Sequence, residues 1–432
     1  MKKKRVLILG AGISGLSLAW YLKQSVKDIE ISIVEKTNHV GGWIRTDTST
    51  GYLFETGPHI FKTSRCPELL QLAVELGLEQ EIISSDPQSQ ARYLWVEGRL
   101  RKINPLLTKG LIPALLKEWC IPVQCASDES VWDFIRRRFN SDVAEKLIEP
   151  VLLGIYAGDI RSLSAQACLP TLKKWEKNYG SLTKGFFSEM IRQKNNHLPL
   201  KGLFSFRGGM QQLVQSLTDK LSVKIHLDQE VESIRCKGAE SEVNTVQGEV
   251  FCAEHIFSTL PAHVMKPLFQ SDAHLSSMFS EIKANEITVV NLGYSSDVLG
   301  KKGFGYLVPS SQQEDILGTI FDSSVFPQQN QRKSETRLTV MMRRETTIDH
   351  VTKKIEQHLG ITSSPDVAVI NRLVHAIPQY HVGHLERIEG IETRLQNTFP
   401  QMTWLGNCLS GVSVNDCITK SKKTAQNFIY KG

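Results

Sequence analysis

A glycine pattern near the start of the chain restricts the possible folds more than any other feature. The pattern is Gly10-Ala11-Gly12-Ile13-Ser14-Gly15. An apolar stretch, residues 5–9, comes directly before it, and residues 13–24 carry apolar residues at helical spacing. Residues 30–34 form a second apolar stretch that ends at Glu35. This order of elements predicts a dinucleotide-binding βαβ unit: a strand, a glycine-rich turn, a helix, and a second strand that ends at an acidic residue about 20 positions after the glycines.

Each position of this unit has a physical role. Gly10 permits the tight turn, Gly12 lets the backbone approach a pyrophosphate, and Gly15 lets helix and strand pack closely. The backbone of residues 10–15 opens the helix, whose N-terminus faces the phosphates. Glu35 is expected to accept hydrogen bonds from ribose hydroxyls and to disfavour a 2′-phosphate.

Length and composition describe a folded chain of several domains. The 432 residues predict two or three domains at about 150 residues each. The net charge of +6 is small, so a nucleic-acid partner is not expected. The eight cysteines show neither C-x-x-C nor zinc-finger spacing, which favours reduced thiols, a cytoplasmic location and no metal. No apolar run reaches the roughly 18 residues that a membrane-spanning helix needs.

A second glycine group follows soon after Glu35. Gly41 and Gly42 precede Trp43 and Arg45, which offers backbone amides and a fixed cation near a pyrophosphate. Further glycines follow in residues 51–59. With these residues the chain resembles the FAD-binding amine-oxidase and phytoene-desaturase superfamily, and this resemblance favours FAD over NAD.

Several later segments are similar to the protoporphyrinogen oxidases within that superfamily. The segments are residues 154–159, 206–213, 258–262, 377–384 and 411–418. The resemblance implies the six-electron oxidation of protoporphyrinogen IX to protoporphyrin IX, with non-covalent FAD as cofactor and O2 as acceptor, which yields H2O2. Oxidation of coproporphyrinogen III to coproporphyrin III is the alternative. A different amine oxidase or carotenoid desaturase, or a non-catalytic binding protein of the same fold, stays open as a further alternative.

The resemblance also implies site residues. Arg92 matches an arginine that pairs with a substrate propionate, although Arg99 and Arg101 lie close to it, and Gly154 matches backbone placed against the macrocycle. No catalytic residue is assigned. The residues expected at FAD are Gly10, Ala11, Gly12, Ile13, Ser14, Gly15, Glu35, Lys36, Gly42, Trp43, Arg45, Gly57, Pro58, Val231, Asn407, Val412, Ser413 and Val414.

The predicted fold class is α/β. A discontinuous Rossmann-type FAD domain is interrupted by a mixed-sheet substrate domain and by a helical domain of the kind that binds membranes. The FAD domain is expected in residues 1–90, 201–270 and 386–432, the substrate domain in 91–110 and 271–385, and the helical domain in 111–200. Within 270–375 the resemblance is too weak to assign pocket residues individually.

The sequence does not decide which partners bind the protein surface. Arg136, Arg137 and Arg138 are interpreted as a solvated helix face, with contact to acidic lipid as the alternative. Peripheral attachment to the inner face of the cell membrane, a homodimer, and hand-over of product to the next enzyme of haem synthesis are all compatible with the sequence. His59, His375, His381 and His384 are interpreted as structural or surface histidines, and Cys408 as a buried thiol.

Overall fold

The structure is a computed structural model that describes residues 3–26, 28–103, 111–124, 128–193 and 202–430. The strands are β1 (Lys4–Leu9), β2 (Ile29–Val34), β3 (Thr46–Asp47), β4 (Phe54–Glu55), β5 (Phe61–Lys62), β6 (Ile82–Ser84), β7 (Arg92–Val96), β8 (Arg99–Lys102), β9 (Leu203–Phe206), β10 (Lys224–His226), β11 (Val231–Lys237), β12 (Glu240–Thr245), β13 (Val250–Ala253), β14 (His255–Ser258), β15 (Ala284–Tyr294), β16 (Gly305–Leu307), β17 (Ile316–Ile320), β18 (Thr336–Met342), β19 (Val367–Pro378) and β20 (Met402–Trp404). The helices are α1 (Ile13–Ser25), α2 (Pro67–Glu75), α3 (Leu111–Glu118), α4 (Val131–Arg138), α5 (Ser141–Val143), α6 (Glu149–Tyr156), α7 (Ala165–Cys168), α8 (Pro170–Tyr179), α9 (Leu182–Gln193), α10 (Gln211–Lys220), α11 (Ala262–Leu268), α12 (Ala273–Glu281), α13 (Asp322–Val325), α14 (Ile348–Leu359), α15 (His384–Thr398) and α16 (Val414–Tyr430).

A five-stranded parallel sheet carries the glycine-rich turn. Its strand order is β10-β2-β1-β14-β20. Along β1, Val6 and Ile8 join one apolar cluster with α1, α10 and α16, and Leu7 and Leu9 join another with α11, α12 and α15. Parallel strands covered by helices on both faces are apolar throughout, which is why β1 has no polar alternation. These strands are far apart in the chain, so the predicted discontinuous α/β fold is confirmed.

A seven-stranded mixed sheet forms the second layer, in the order β19-β15-β18-β17-β16-β7-β8. One face packs on α14 through an apolar cluster that includes Trp95, Tyr306 and Leu338. The other face meets α6, where Leu153 packs with Met341 and Leu317. The predicted domain boundaries remain predictions, and those at 110 and 200 fall on positions outside the described residues.

The helical region contains a buried ion network where a basic surface was expected. Arg138 is fully buried and binds Glu176 at 2.7 Å and Glu118 at 3.3 Å. Arg137 binds Glu129 at 2.6 Å and Glu176 as well. The interpretation of this arginine run as a solvated or lipid-facing surface is therefore wrong for Arg137 and Arg138. Only Arg136, whose side chain is 58% exposed, faces solvent.

Candidate active site

The glycine-rich turn joins β1 to α1. Gly10 has φ of +99°, a conformation that favours glycine. A Cβ on Gly15 would lie 2.0 Å from the Gly10 carbonyl oxygen, so the helix approaches the strand as closely as the backbone allows. Gly12 is the N-cap of α1 and makes no side-chain cap. The first amides of the helix, at Ile13 and Ser14, are therefore available to an anion.

Glu35 is fixed directly beside this turn. One carboxylate oxygen accepts a hydrogen bond from the Ala11 amide at 2.8 Å, and the other accepts from the amide and hydroxyl of Thr37 at 2.9 Å. Oε1 accepts both hydrogen bonds from Thr37, whereas Oε2 accepts only one and keeps a further lone pair. Glu35 can thus accept a hydrogen bond from a ribose hydroxyl through Oε2 while it stays anchored to Ala11 and Thr37. The exposed Lys36 pairs with Glu230 at 2.7 Å.

The second glycine group packs against the first. The backbones of Gly12 and Gly41 form a parallel bridge, and Gly42 has φ of +60°. The next residues, Trp43 and Arg45, are exposed, and Arg45 makes no ion pair with a described residue. A Cβ on Gly57 would lie 1.9 Å from the Trp43 carbonyl oxygen. The structure therefore brings residues 10–15, 41–45 and 57 together, with the exposed Pro58 next to them.

Two distant segments close the same region. The amide of Gln229 donates to the Glu35 carbonyl at 2.8 Å, which places Val231, two residues later in β11, next to the strand end that carries Glu35. Ser413 caps α16, since its hydroxyl accepts from the Asp416 amide at 3.1 Å. The Ser421 hydroxyl of α16 donates to the Ser14 carbonyl at 2.8 Å, so α16 lies alongside α1.

The loop before α16 connects this region to the helical region. The Tyr380 hydroxyl donates to the Asn407 carbonyl. Val412 packs with the apolar cluster of the helical region, and Val414 packs with that of the parallel sheet. Residues 407–414 thus lie at the junction of two cores.

A buried network of charged side chains, centred on His59 and Asp322, contacts the backbone of Gly57. His59 Nδ1 lies 2.9 Å from the Gly57 carbonyl oxygen, and its Nε2 lies 3.0 Å from Asp322 Oδ1. Burial opposes a charge on His59, but the hydrogen bond and charge of Asp322 outweigh it and raise the histidine pKa to about 9. Both ring nitrogens of His59 lie beside acceptor oxygens, which also favours the doubly protonated imidazole. Burial raises the pKa of the neighbouring Glu55 to about 7.

The same network joins the two layers. Arg337, which is 2% exposed, donates to the Leu53 carbonyl at 2.9 Å. The Asn291 amide donates to the Glu55 carbonyl at 3.1 Å. These contacts fix residues 53–59 against β15 and β18 of the mixed sheet. This network is not apparent from the sequence, because nothing near His59 indicates its pairing with Asp322, 263 residues away.

Arg92 lies on the face of the mixed sheet that meets α6, and Gly154 lies on the side of α6 that meets the sheet; the region between these two surfaces is called the gap below. Arg92 pairs with Gly305, and Leu94 pairs with Leu307, across the parallel β7–β16 ladder. Paired residues project from the same face. A Cβ on Gly154 would lie 3.3 Å from the Leu307 side chain, so this face is the one that meets α6.

The walls of this gap are apolar. On α6, Val151 and Ile155 share the helix face of Gly154 and are 49% and 43% exposed. On the sheet side, Phe304 lies under the Arg92 guanidinium, 4.6 Å from its ring centroid. Arg92 is itself exposed and makes no ion pair with a described residue. The gap thus combines apolar surfaces with one available cation.

The sequence left Phe304, Leu307 and Met341 unassigned because they fall in the weakly similar stretch. For Leu307 and Met341 the signal was the period-two alternation of β16 and β18, which sets apart the residues that face α6; Phe304 precedes β16 and has no such signal. That signal becomes usable only once the pairing of the strands is known.

These observations fit a flavin dinucleotide. A pyrophosphate and a ribose require the features found here: the uncapped start of α1, glycines at which a Cβ would collide with backbone, the anchored carboxylate of Glu35, and the free Arg45. The family model described as flavin containing amine oxidoreductase matches residues 13–429. The chain belongs to the flavin-containing amine oxidoreductase family.

Individual relatives span nearly the whole chain. Protoporphyrinogen oxidase of Bos taurus is 30% identical, with 98% of each chain covered. Coproporphyrinogen III oxidase of Staphylococcus aureus is 28% identical, with 99% of each covered. A solved structure from Exiguobacterium sp. 255-15 has a TM-score of 0.85 at 23% identity, with 100% of both chains covered, which shows the shared fold.

Proposed function

We propose that this chain oxidises a porphyrinogen of haem synthesis to the corresponding porphyrin, with non-covalent FAD and with O2 as acceptor. The observation that carries the proposal is the apolar gap with its free arginine, Arg92, next to a flavin cradle. The full-length similarity to protoporphyrinogen and coproporphyrinogen III oxidases supports it. Removal of six hydrogens by three molecules of O2 yields the porphyrin and three molecules of H2O2.

The chain's own residues have defined tasks in this proposal. Residues 10–15, Glu35, Arg45 and the start of α16 hold the cofactor, while the network around His59 keeps Gly57 in place. When bound, FAD supplies the acceptor for the hydrogen removed in each of three rounds. Arg92 orients the substrate through a carboxylate, and Val151 and Ile155 exclude water from the macrocycle. Cys408 is buried and its pKa is raised to about 11 by burial, which favours a neutral thiol over a covalent flavin link.

The first test is the initial rate of porphyrin fluorescence in air, with FAD present. Protoporphyrinogen IX and coproporphyrinogen III are supplied in parallel, against their oxidation without protein. A rate above that control with at least one substrate is expected. A folded, flavin-loaded protein without activity on either would contradict the proposal and would favour the amine or carotenoid alternative.

Replacing Glu35 with alanine should weaken FAD retention. Losing charged acceptors for the ribose hydroxyls costs about 1.5–3 kcal/mol per hydrogen bond, so Kd should rise at least about tenfold. The measurement is fluorescence titration of the apoprotein with FAD. Glu30→Ala, on the same strand and exposed, is the matched control and should bind FAD like the parent. A fully flavinated Glu35→Ala protein would contradict the ribose role.

Replacing Arg92 with alanine should impair substrate use while FAD stays bound. A lost charge-assisted hydrogen bond corresponds to roughly a 10- to 100-fold lower kcat/KM. Arg99→Ala removes an exposed arginine from the neighbouring strand β8 and should have little effect. An equal loss of kcat/KM in the two variants would show that Arg92 does not bind the substrate.

We also propose peripheral membrane contact, at the cytoplasmic face, through α3 and α9. These helices expose large apolar side chains: Leu116, Trp119 (directly after α3), Phe186, Phe187, Met190 and Ile191. Lys117 and Lys184 lie among them. No helix among the described residues is long and apolar enough to cross a bilayer. Apolar side chains flanked by lysines suit the surface of an anionic bilayer.

The double variant Phe186→Ser/Phe187→Ser should lose most of its co-sedimentation with vesicles that contain anionic lipid. Val250→Ser, which changes a 54% exposed apolar residue of the antiparallel β11–β13 sheet, is the control and should sediment like the parent. If the double variant sediments like the control, α9 does not carry membrane contact.

A further inference from the structure

One face of β18 runs from the flavin-binding segment to the start of α6. Arg337 on this face contacts Leu53, Thr339 contacts Asp322 at 2.7 Å, and Met341 packs with Leu153 of α6. The alternate residues Leu338, Val340 and Met342 are buried in the opposite core. Arg343 directly follows β18, and its amide continues the hydrogen-bond ladder by donating to the Asp315 carbonyl at 2.8 Å. Its guanidinium interacts electrostatically with Glu149 at the start of α6, so it lies on the α6 side of the sheet. Arg343 therefore enters the gap that Met341 and Arg92 line.

Arg343 has a free guanidinium in this position. It is half-buried and makes no ion pair or side-chain hydrogen bond with any described residue. The charged group that acts on it is Glu149, at the start of α6, whose carboxylate already accepts a hydrogen bond from the Ser310 hydroxyl. A half-buried cation without a hydrogen-bonded partner is costly unless a ligand supplies one.

The distance between Arg343 and Arg92 decides what that ligand can be. Arg92 pairs through Gly305 and Ile320 to Thr339, three strands away, and Arg343 lies four residues beyond Thr339. Strand spacing of about 4.8 Å and a rise of about 3.3 Å per residue put the two Cα atoms roughly 20 Å apart. Both side chains project from the same side of the sheet and not toward one another, so at this separation each takes a different carboxylate, at opposite edges of a macrocycle.

We propose that Arg343 is a second carboxylate-binding residue of the substrate gap. It selects a porphyrinogen with propionates on both edges, as in coproporphyrinogen III, over one with propionates on a single edge, as in protoporphyrinogen IX. This inference rests on the proposed function, and it adds a specificity-determining residue from the stretch in which the sequence allowed no assignment.

The test compares Arg343→Gln with Arg344→Gln. Arg344 is the exposed neighbour and makes no ion pair with a described residue, so the two variants lose the same charge one residue apart. Arg343→Gln should lower kcat/KM for coproporphyrinogen III by roughly 10- to 100-fold, mainly through KM, and change it less than about threefold for protoporphyrinogen IX. Arg344→Gln should change neither.

Arg343→Lys keeps the charge but not the planar fork, so it should retain part of the selectivity. If Arg343→Gln does not fold, Arg343→Lys provides the test. A preference for coproporphyrinogen III equal to that of the parent would then overturn the inference. Equal losses for both substrates, or no loss, in Arg343→Gln would also overturn it.

Equilibrium binding of coproporphyrin III, followed by quenching of protein fluorescence, separates this inference from the proposed function. If the parent oxidises neither porphyrinogen, the proposed function fails. Weaker coproporphyrin III binding by Arg343→Gln than by Arg344→Gln would still support the carboxylate site. Equal binding by the two variants would overturn it.

Discussion

Replacing Gly15 with alanine should yield a protein that purifies with little or no FAD. The added Cβ would lie 2.0 Å from the Gly10 carbonyl oxygen and 3.3 Å from the Ile8 side chain. The first of these atoms belongs to the backbone and cannot rotate away, so α1 must move from β1. Overpacking of this kind costs about 1–3 kcal/mol, and the displaced helix no longer presents its amides to the pyrophosphate.

The measurement is the ratio of flavin to protein absorbance after gel filtration, followed by FAD titration of the apoprotein. We expect the Kd for FAD to rise at least tenfold. Gly300→Ala is the matched control, because a Cβ there meets nothing within 4 Å and the residue is exposed. Unchanged FAD binding by Gly15→Ala would show that close contact between helix and strand is not what forms the cradle.

Replacing Arg138 with methionine should strongly destabilise the helical region. The change leaves Glu118 and Glu176 buried, with exposures of 0% and 1%, without their shared guanidinium. Glu176 keeps its ion pairs with Arg137 and Lys173, but Glu118 loses its only ion-pair partner among the described residues. Removing one partner of a buried ion pair typically costs about 3–5 kcal/mol, because the remaining charge is uncompensated. Arg136→Met removes a 58% exposed arginine of the same helix and should cost far less.

Urea unfolding followed by tryptophan fluorescence compares the two variants, since Trp132 and Trp175 lie in the helical cluster.

The dependence of stability on acid pH is a second measurement. Burial disfavours the Glu176 carboxylate, but hydrogen bonds from Lys173, Arg137 and Arg138 outweigh this and lower its pKa to about 2, from 4.5. The stabilisation is therefore complete above pH 4.5 and is lost as the pH falls toward 2. The difference in the free energy of unfolding between the parent and Arg138→Met should therefore become smaller over that pH range. Equal stability of the two methionine variants at pH 7 would contradict the prediction.

The local motifs were predictable because their partners are close in sequence. A βαβ unit is built from one continuous stretch, so the glycines and Glu35 define it without any knowledge of the rest of the chain. The predicted helix over residues 13–24 is observed as Ile13–Ser25, and the predicted strand over 30–34 as Ile29–Val34. Arg137 and Arg138 were misinterpreted because the acids that pair with them, among them Glu118 and Glu176, lie on other helices.

The sequence by itself therefore determined the fold class, the dinucleotide unit and the resemblance on which the function is proposed. Only the tertiary structure decided which charges are buried and which residues share the substrate gap. The His59–Asp322 pair and the common face of Arg92 and Arg343 both depend on segments more than 200 residues apart. The cost of burying a charge depends on the partner that the fold brings to it, and the face on which a strand residue projects is settled by pairing with distant strands.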